Sequence, residues 1–171
     1  MSQTTYSRNF EAAFAGMLGD SGDHRIGSYL NVEGSDIPAG ILVALVGEGQ
    51  AELVEATGDL LAGGVLKTFA RDPGDASGAL SGTAVIKSGH MMPVLEEGAV
   101  WLLGEEAMAV GDDVFVRFAA GAGGSQLGAV RNDADTASAR QVLGARVLKA
   151  STGAGPVLVY LSVAVDTSHQ A

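Results

Sequence analysis

Nine apolar runs, at 28–32, 41–46, 51–56, 65–70, 83–88, 99–103, 113–118, 142–150 and 157–165, are each fenced by glycine, aspartate or proline. Runs this short cannot sustain a row of packed helices. At spacings of roughly ten to twenty residues they read as strands of a β-barrel or β-sandwich. Glycine fits that reading: 25 of 171 residues is about twice its usual ~7% share, as a protein with many tight turns requires. The last two runs, joined by STGAGP at 151–156, form the clearest hairpin.

One segment departs from this pattern. Phe10, Ala13, Phe14, Met17 and Leu18 follow the i, i+3, i+4, i+7, i+8 spacing of a helix, with Asn9 as a cap and Gly19 as a stop. The expected organisation is therefore an N-terminal arm with one short helix over 1–26, followed by a single β-barrel-like domain over 27–171. A helix of about ten residues is not stable alone in water, so it needs a surface to lie on. The arm carries Tyr6, Arg8, Phe10, Phe14, Met17 and Leu18, the mixture of aromatic, Arg and Met side chains enriched at protein interfaces.

Alternation along the strands points the same way. In DVFVRF, Val114, Val116 and Phe118 share one face, and Phe115 and Arg117 the other. In the last run Val157, Val159, Leu161, Val163 and Val165 oppose Leu158, Tyr160, Ser162 and Ala164. Both faces are largely apolar, so several of the strands are expected to cover a core on one side and a neighbouring subunit on the other. Trp101, the only tryptophan, is either a core anchor or an interface anchor. Phe115, Arg117 and Trp101 are the candidates for the subunit interface.

Charge and motifs exclude much else. Twenty acidic against ten basic residues leave a net charge of −10, which repels phosphate backbones and anionic membranes. No run approaches the ~18 apolar residues of a membrane span, and the N-terminus lacks a secretion signal, so synthesis in the cytoplasm is expected. The absence of cysteine removes disulfides and thiolate metal sites. The glycine loop at 121–126 ends in Gln126 where a dinucleotide fingerprint needs glycine, and no Lys-Ser/Thr pair follows. Asp133 and Asp135 lack the rest of a calcium loop, and Asp20, Asp23 and His24 read as a hydrated turn. Ser81, Ser88 and Ser125 lack a nucleophile elbow, while the pairs Glu96–Glu97 and Glu105–Glu106 point to opposite faces of a strand. No catalytic residue, cofactor site or metal site is assigned, and no enzymatic activity is expected.

The order of the pieces resembles the head decoration proteins of bacteriophages, also called structural cement or capsid-stabilising proteins. The similarity runs through IPAGILVALVGEGQAELVEAT (37–57), LLAGGVLKTFARDP (60–73), VLEEGAVWLLGEEAMAVGDDVFVRF (94–118), LGAVRNDAD (127–135), ARQVLGARVLKAS (139–151) and GPVLVYLSV (155–163). Its most specific part is G-D-x-V-x-V-R, then LGAVRNDAD after a glycine loop, then GARVL. The resemblance implies a barrel-like homotrimer on the outer surface of the virion's icosahedral head, at three-fold or quasi-three-fold positions of the major capsid protein, without catalysis or cofactor. In that setting the arm residues are candidates for the capsid contact. Arg117 is then either an ordinary surface arginine or the partner of an acidic residue across the trimer interface. A trimeric tail or fibre-associated β-domain that binds a host-surface ligand is the alternative, although the elongated repeats and stalk of a fibre are absent at this length.

Overall fold

The computed structural model describes residues 13–20, 22–67, 84–120 and 125–163. The chain is mainly β, in eleven strands: β1 (Arg25–Asn31), β2 (Ile37–Pro38), β3 (Leu42–Gly47), β4 (Gln50–Leu53), β5 (Leu61–Val65), β6 (Val85–Ile86), β7 (Met91–Gly104), β8 (Asp113–Arg117), β9 (Val130–Arg131), β10 (Ala139–Lys149) and β11 (Gly155–Ser162). β2 and β6 pair apart as a small two-stranded sheet. The other nine form one sheet that closes on itself twice.

The strand that makes this possible is β7, whose 14 residues serve two barrels. Its first half pairs with β1 on one edge, from Leu30↔Met91 to Arg25↔Glu97, and with β5 on the other, at Gly64↔Leu95 and Val65↔Val94. β5 continues to β3, β3 to β4, and β4 returns in parallel to β1, closing a first ring. The second half pairs with β11 from Ser162↔Glu97 to Gly155↔Gly104. From there β10, β8 and β9 follow, and β9 returns in parallel to β7 at Gly104↔Val130, closing a second ring. Closure removes the free strand edges that invite aggregation.

Each ring has its own interior. Ile41, Val43, Ala51, Ala62, Val65, Met92 and Val94 fill the first, together with Ile37 and Ile86 from the small sheet. Val100, Leu102, Val114, Val116, Val130, Val142, Val147, Val157, Val159 and Leu161 belong to a larger cluster that also takes in Leu42, Ala44, Leu61 and Leu95. β3 therefore buries both faces within its own chain: Val43 joins the first core, and Leu42 and Ala44 join the second. On this strand the second apolar face is covered by the other ring of the same chain.

The short helix does not form over its described part. Residues 13–20 run as a turn and an extended segment, and Leu18 makes an antiparallel bridge to Val100. Gly16 and Gly19 donate to the carbonyls of Trp101 and Ala99, at 2.7 and 2.8 Å, while Trp101 donates to the carbonyl of Met17 at 2.9 Å. From Ala99 to Trp101 one edge of β7 is taken by β11, and the arm supplies partners for backbone groups on the other. Gly16 has φ +88, outside the helical region, and a Cβ there would lie 2.8 Å from the amide of Lys67. Residues 9–12 of the expected helix lie outside the described residues.

The remaining strands depart from expectation mainly in their bounds. The run predicted at 65–70 begins earlier, at Leu61, and residues 68–70 lie outside the described residues. β7 extends eight residues before the predicted run at 99–103, and β2 and β9 lie outside the nine runs.

Closure of the first ring rests on a close approach of β5 to β7. Gly63 has φ +141, and a Cβ placed on it would lie 2.1 Å from the carbonyl oxygen of Leu95. Gly63→Ala is predicted to cost well over ~1 kcal/mol, because both the backbone conformation and the strand spacing must change. Chemical denaturation of the purified variant measures it, and stability equal to wild type would contradict the packing described here.

Candidate functional site

The buried charges of the chain gather at one end of the second ring. Arg117, the last residue of β8, is 1% exposed, although it stands on an otherwise apolar strand. Its Nε and Nη2 donate to the two oxygens of Glu105 at 2.6 and 2.7 Å, its Nη2 also to Asp135 at 2.6 Å, and its Nη1 to the carbonyl of Ala119 at 3.2 Å. Arg131, on β9, reaches Glu105 at 3.2 Å, Asp133 at 2.8 Å, Asp135 at 3.2 Å and Glu106 at 3.4 Å. Two guanidinium groups thus hold four carboxylates. The cation in the apolar strand is neither a surface arginine nor in need of an acid from a neighbouring chain.

This network holds a strained loop. Asp135, Thr136 and Ala137 have φ of 39, 53 and 68, three successive non-glycine residues in the left-handed region, where each costs roughly 1–2 kcal/mol. The Asp135 side chain is fixed by both arginines, and its amide donates to Asp133 Oδ1 at 2.9 Å. The hydrogen bond from Arg117, reinforced by the charges of Arg131 and Arg117, holds the Asp135 carboxyl below its ordinary range against the opposing effect of desolvation. The cluster borders an open cleft of about 510 Å³ lined by Leu103, Gln126, Ala129 and Ala154 beside Glu105 and both arginines.

A second feature lies on the outward face of β10, β11 and β7. The residues that oppose Val157, Val159 and Leu161 are Leu158, Tyr160 and Ser162, all half-buried. Trp101 is half-buried beside Leu158, not a core residue. Lys149 Nζ stands 5.4 Å over its ring, and the Arg146 guanidinium stands 5.8 Å over that of Tyr160.

The candidate residues therefore separate. Tyr6, Arg8 and Phe10 lie outside the described residues. Phe14 is half-buried with Lys67 Nζ 4.9 Å over its ring, and Met17 and Leu18 are half-buried against β7. Phe115 is half-buried opposite Gln141 on one side and Arg131 on the other, so it and Trp101 retain accessible surface while Arg117 does not. Sequence reasoning weighed Glu105 and Asp135 only as parts of a carboxylate pair and a calcium loop, placed Tyr160 on the second face of its strand without a role, and did not single out Arg131, Arg146 or Lys149. The spacing RNDAD, with Arg131 two and four residues before Asp133 and Asp135, carries a signal for the network, because a tight turn brings such neighbours within reach of one another.

Comparison with known proteins adds two findings. A family model described as structural cement protein (E217 gp24/Pam3 gp6) matches residues 2–163. A chain from a solved structure titled "The capsid of Myoviridae Phage XM1" is similar with a TM-score of 0.66 at 15% identity, covering 93% of this chain and 98% of that one; at such identity the likeness is one of fold. No curated protein matches.

Removing the Arg117 side chain takes from Glu105 and Asp135 their shortest donors and leaves them only the longer contacts to Arg131, each at 3.2 Å. Arg117→Ala is predicted to cost about 3 kcal/mol, the order found when one member of a buried ion pair is deleted. Urea denaturation reads this, and an unchanged midpoint would refute it. Because the Asp135 carboxyl is held low in the folded state, its contribution is fully present above the ordinary carboxylate range and is lost as pH falls through its folded value. Asp135→Asn should flatten the loss of stability on acidification in that window.

Proposed function

The chain belongs to the phage structural cement protein family and is a structural component of the virion, and from that premise we propose that it acts as a homotrimer on the outer surface of the head. It sits at three-fold or quasi-three-fold positions, where each trimer grips several copies of the major capsid protein. The observation that carries this reading is the family match over 2–163 in a chain folded like one from a phage capsid.

The physical properties support it. Contacts made by three linked subunits add avidity without any single one being strong, so modest patches suffice to hold a shell against outward pressure. The net charge of −10 keeps free protein soluble and indifferent to the nucleic acid packed inside the head. Two rings that share a strand form a stiff body, which transmits load between capsid subunits instead of yielding.

The arm divides at residue 13. Residues Gly16–Gly19 are hydrogen-bonded along β7, so this part anchors the arm to the barrel. The preceding segment, with Tyr6, Arg8 and Phe10, is the part assigned here to the capsid lattice. Deleting 1–19 would unpair β7 and confuse binding with folding, whereas deleting 1–12 leaves the anchor in place.

Sedimentation of undecorated heads mixed with purified protein tests the proposal. Full-length protein should pellet with the heads at micromolar concentration, and the variant lacking residues 1–12 should remain in the supernatant. Full-length protein that never pellets would end the proposal; equal pelleting of both forms would move the contact from the arm to the barrel rim.

A further inference from the structure

The outward face of β10, β11 and β7 carries two cations without an ion-pair partner among the described residues. Arg146 lies in register with Tyr160, which faces Ala99, and Lys149 lies in register with Leu158, which faces Trp101. Arg146 and Lys149 are exposed, and Leu158, Tyr160 and Trp101 are half-buried beneath them. Neither cation forms an ion pair among the described residues, whereas Arg25, Arg117 and Arg131 all do. Exposed cations laid over partly buried aromatic rings are the composition of an interface centre, where tryptophan, tyrosine and arginine dominate.

A complementary feature lies on the first ring. Glu52, on β4, and Glu55, just beyond it, stand near Glu33 and Asp59, and none of Glu33, Glu52 or Glu55 has an ion-pair partner among the described residues. Asp59 is committed to the backbone amides of Glu55 and Ala56, at 2.8 and 2.9 Å, and its carbonyl accepts from Arg140. Partial burial and then the charges of Glu33, Glu55 and Asp59 push the Glu52 carboxyl up. Two half-exposed apolar side chains flank this acidic rim, Val46 at 46% and Leu60 at 42% exposure. The rim therefore offers negative charge around an apolar contact, the counterpart of the cationic aromatic face.

We propose that the Trp101–Tyr160 face with Arg146 and Lys149 docks head to tail on the Glu52–Glu55 rim of a second copy of this chain. This deepens the proposed function and rests on its trimeric reading. A three-fold closed assembly cannot use one self-complementary patch. Each protomer must present two different surfaces that fit each other around the ring. Copies that each carry −10 repel at long range, so association needs local pairing of opposite charge, which also fixes the register of the contact.

Sedimentation velocity of the full chain tests the contact with the double variants Arg146→Glu/Lys149→Glu and Glu52→Lys/Glu55→Lys, and with the fourfold variant that combines them. Each double variant should weaken self-association roughly tenfold or more, and the fourfold variant, with charges exchanged between the two faces, should recover most of it. Thermal melts verify that the variants fold, and Glu52→Gln/Glu55→Gln gives a milder version of the same loss where the lysine variant does not. Self-association that is unchanged in both double variants, or lost in both and not recovered in the fourfold one, overturns this contact while leaving the trimer itself standing. A wild-type chain that never self-associates, free or on heads, overturns the contact and the trimeric reading together. If Arg146→Glu/Lys149→Glu stays trimeric but no longer pellets with heads, the occupant of the face is the capsid protein and the proposal is wrong.

Discussion

Everything in this fold depends on the hydrogen bonding of β7 along both of its edges. Five segments share its length: β1 and β5 flank its first half, and in its second half β11 lies opposite both the arm at Ala99–Trp101 and β9 at Gly104. At Glu97 the strand pairs with Arg25 of β1 and with Ser162 of β11. A strand used in this way cannot be withdrawn from one ring without opening the other. The two barrels consequently behave as one unit, although each has a core of its own.

That arrangement explains where charge can be tolerated. At the end of β7 the chain leaves the sheet at Glu105, close to where β8 and β9 bring Arg117 and Arg131. Burying a guanidinium on an apolar strand is costly unless its donors are matched, and here Glu105, Asp135 and the carbonyl of Ala119 match them. The same network offsets the left-handed backbone at Asp135–Ala137. It also gathers the most specific pieces of the family resemblance, the V-x-V-R strand and RNDAD, into one cluster.

The mainly β character, most strand positions and the closing hairpin were legible because short apolar runs between turn residues leave little else to form. The first half of β7 fell outside the predicted run at 99–103, because Pro93 and the polar pair Glu96–Glu97 interrupt the apolar pattern; yet Glu96 receives Tyr29 Oη at 2.6 Å and Arg25 Nε at 2.5 Å, so a polar pair sits comfortably on a strand. The helix over 10–18 was a fair reading of local periodicity that lost to tertiary pairing, since the open edge of β7 offers more than a solitary helix can. Arg117 was recognised as anomalous, but its partners lie 12 and 18 residues away, beyond what strand alternation can predict. The doubly closed topology was not legible at all: long-range pairing decides it, and no local pattern records which strand returns to which.

Among the described residues, the outward face around Trp101 and the acidic rim of the first ring remain available for assembly. A cryo-electron microscopy reconstruction of heads saturated with the protein bears most directly on the claim that this two-ring body cements a capsid. The account predicts three copies around each three-fold position on the exterior, every copy contacting more than one capsid subunit. Density confined to the interior, or to isolated copies resting on single capsid subunits, would contradict it.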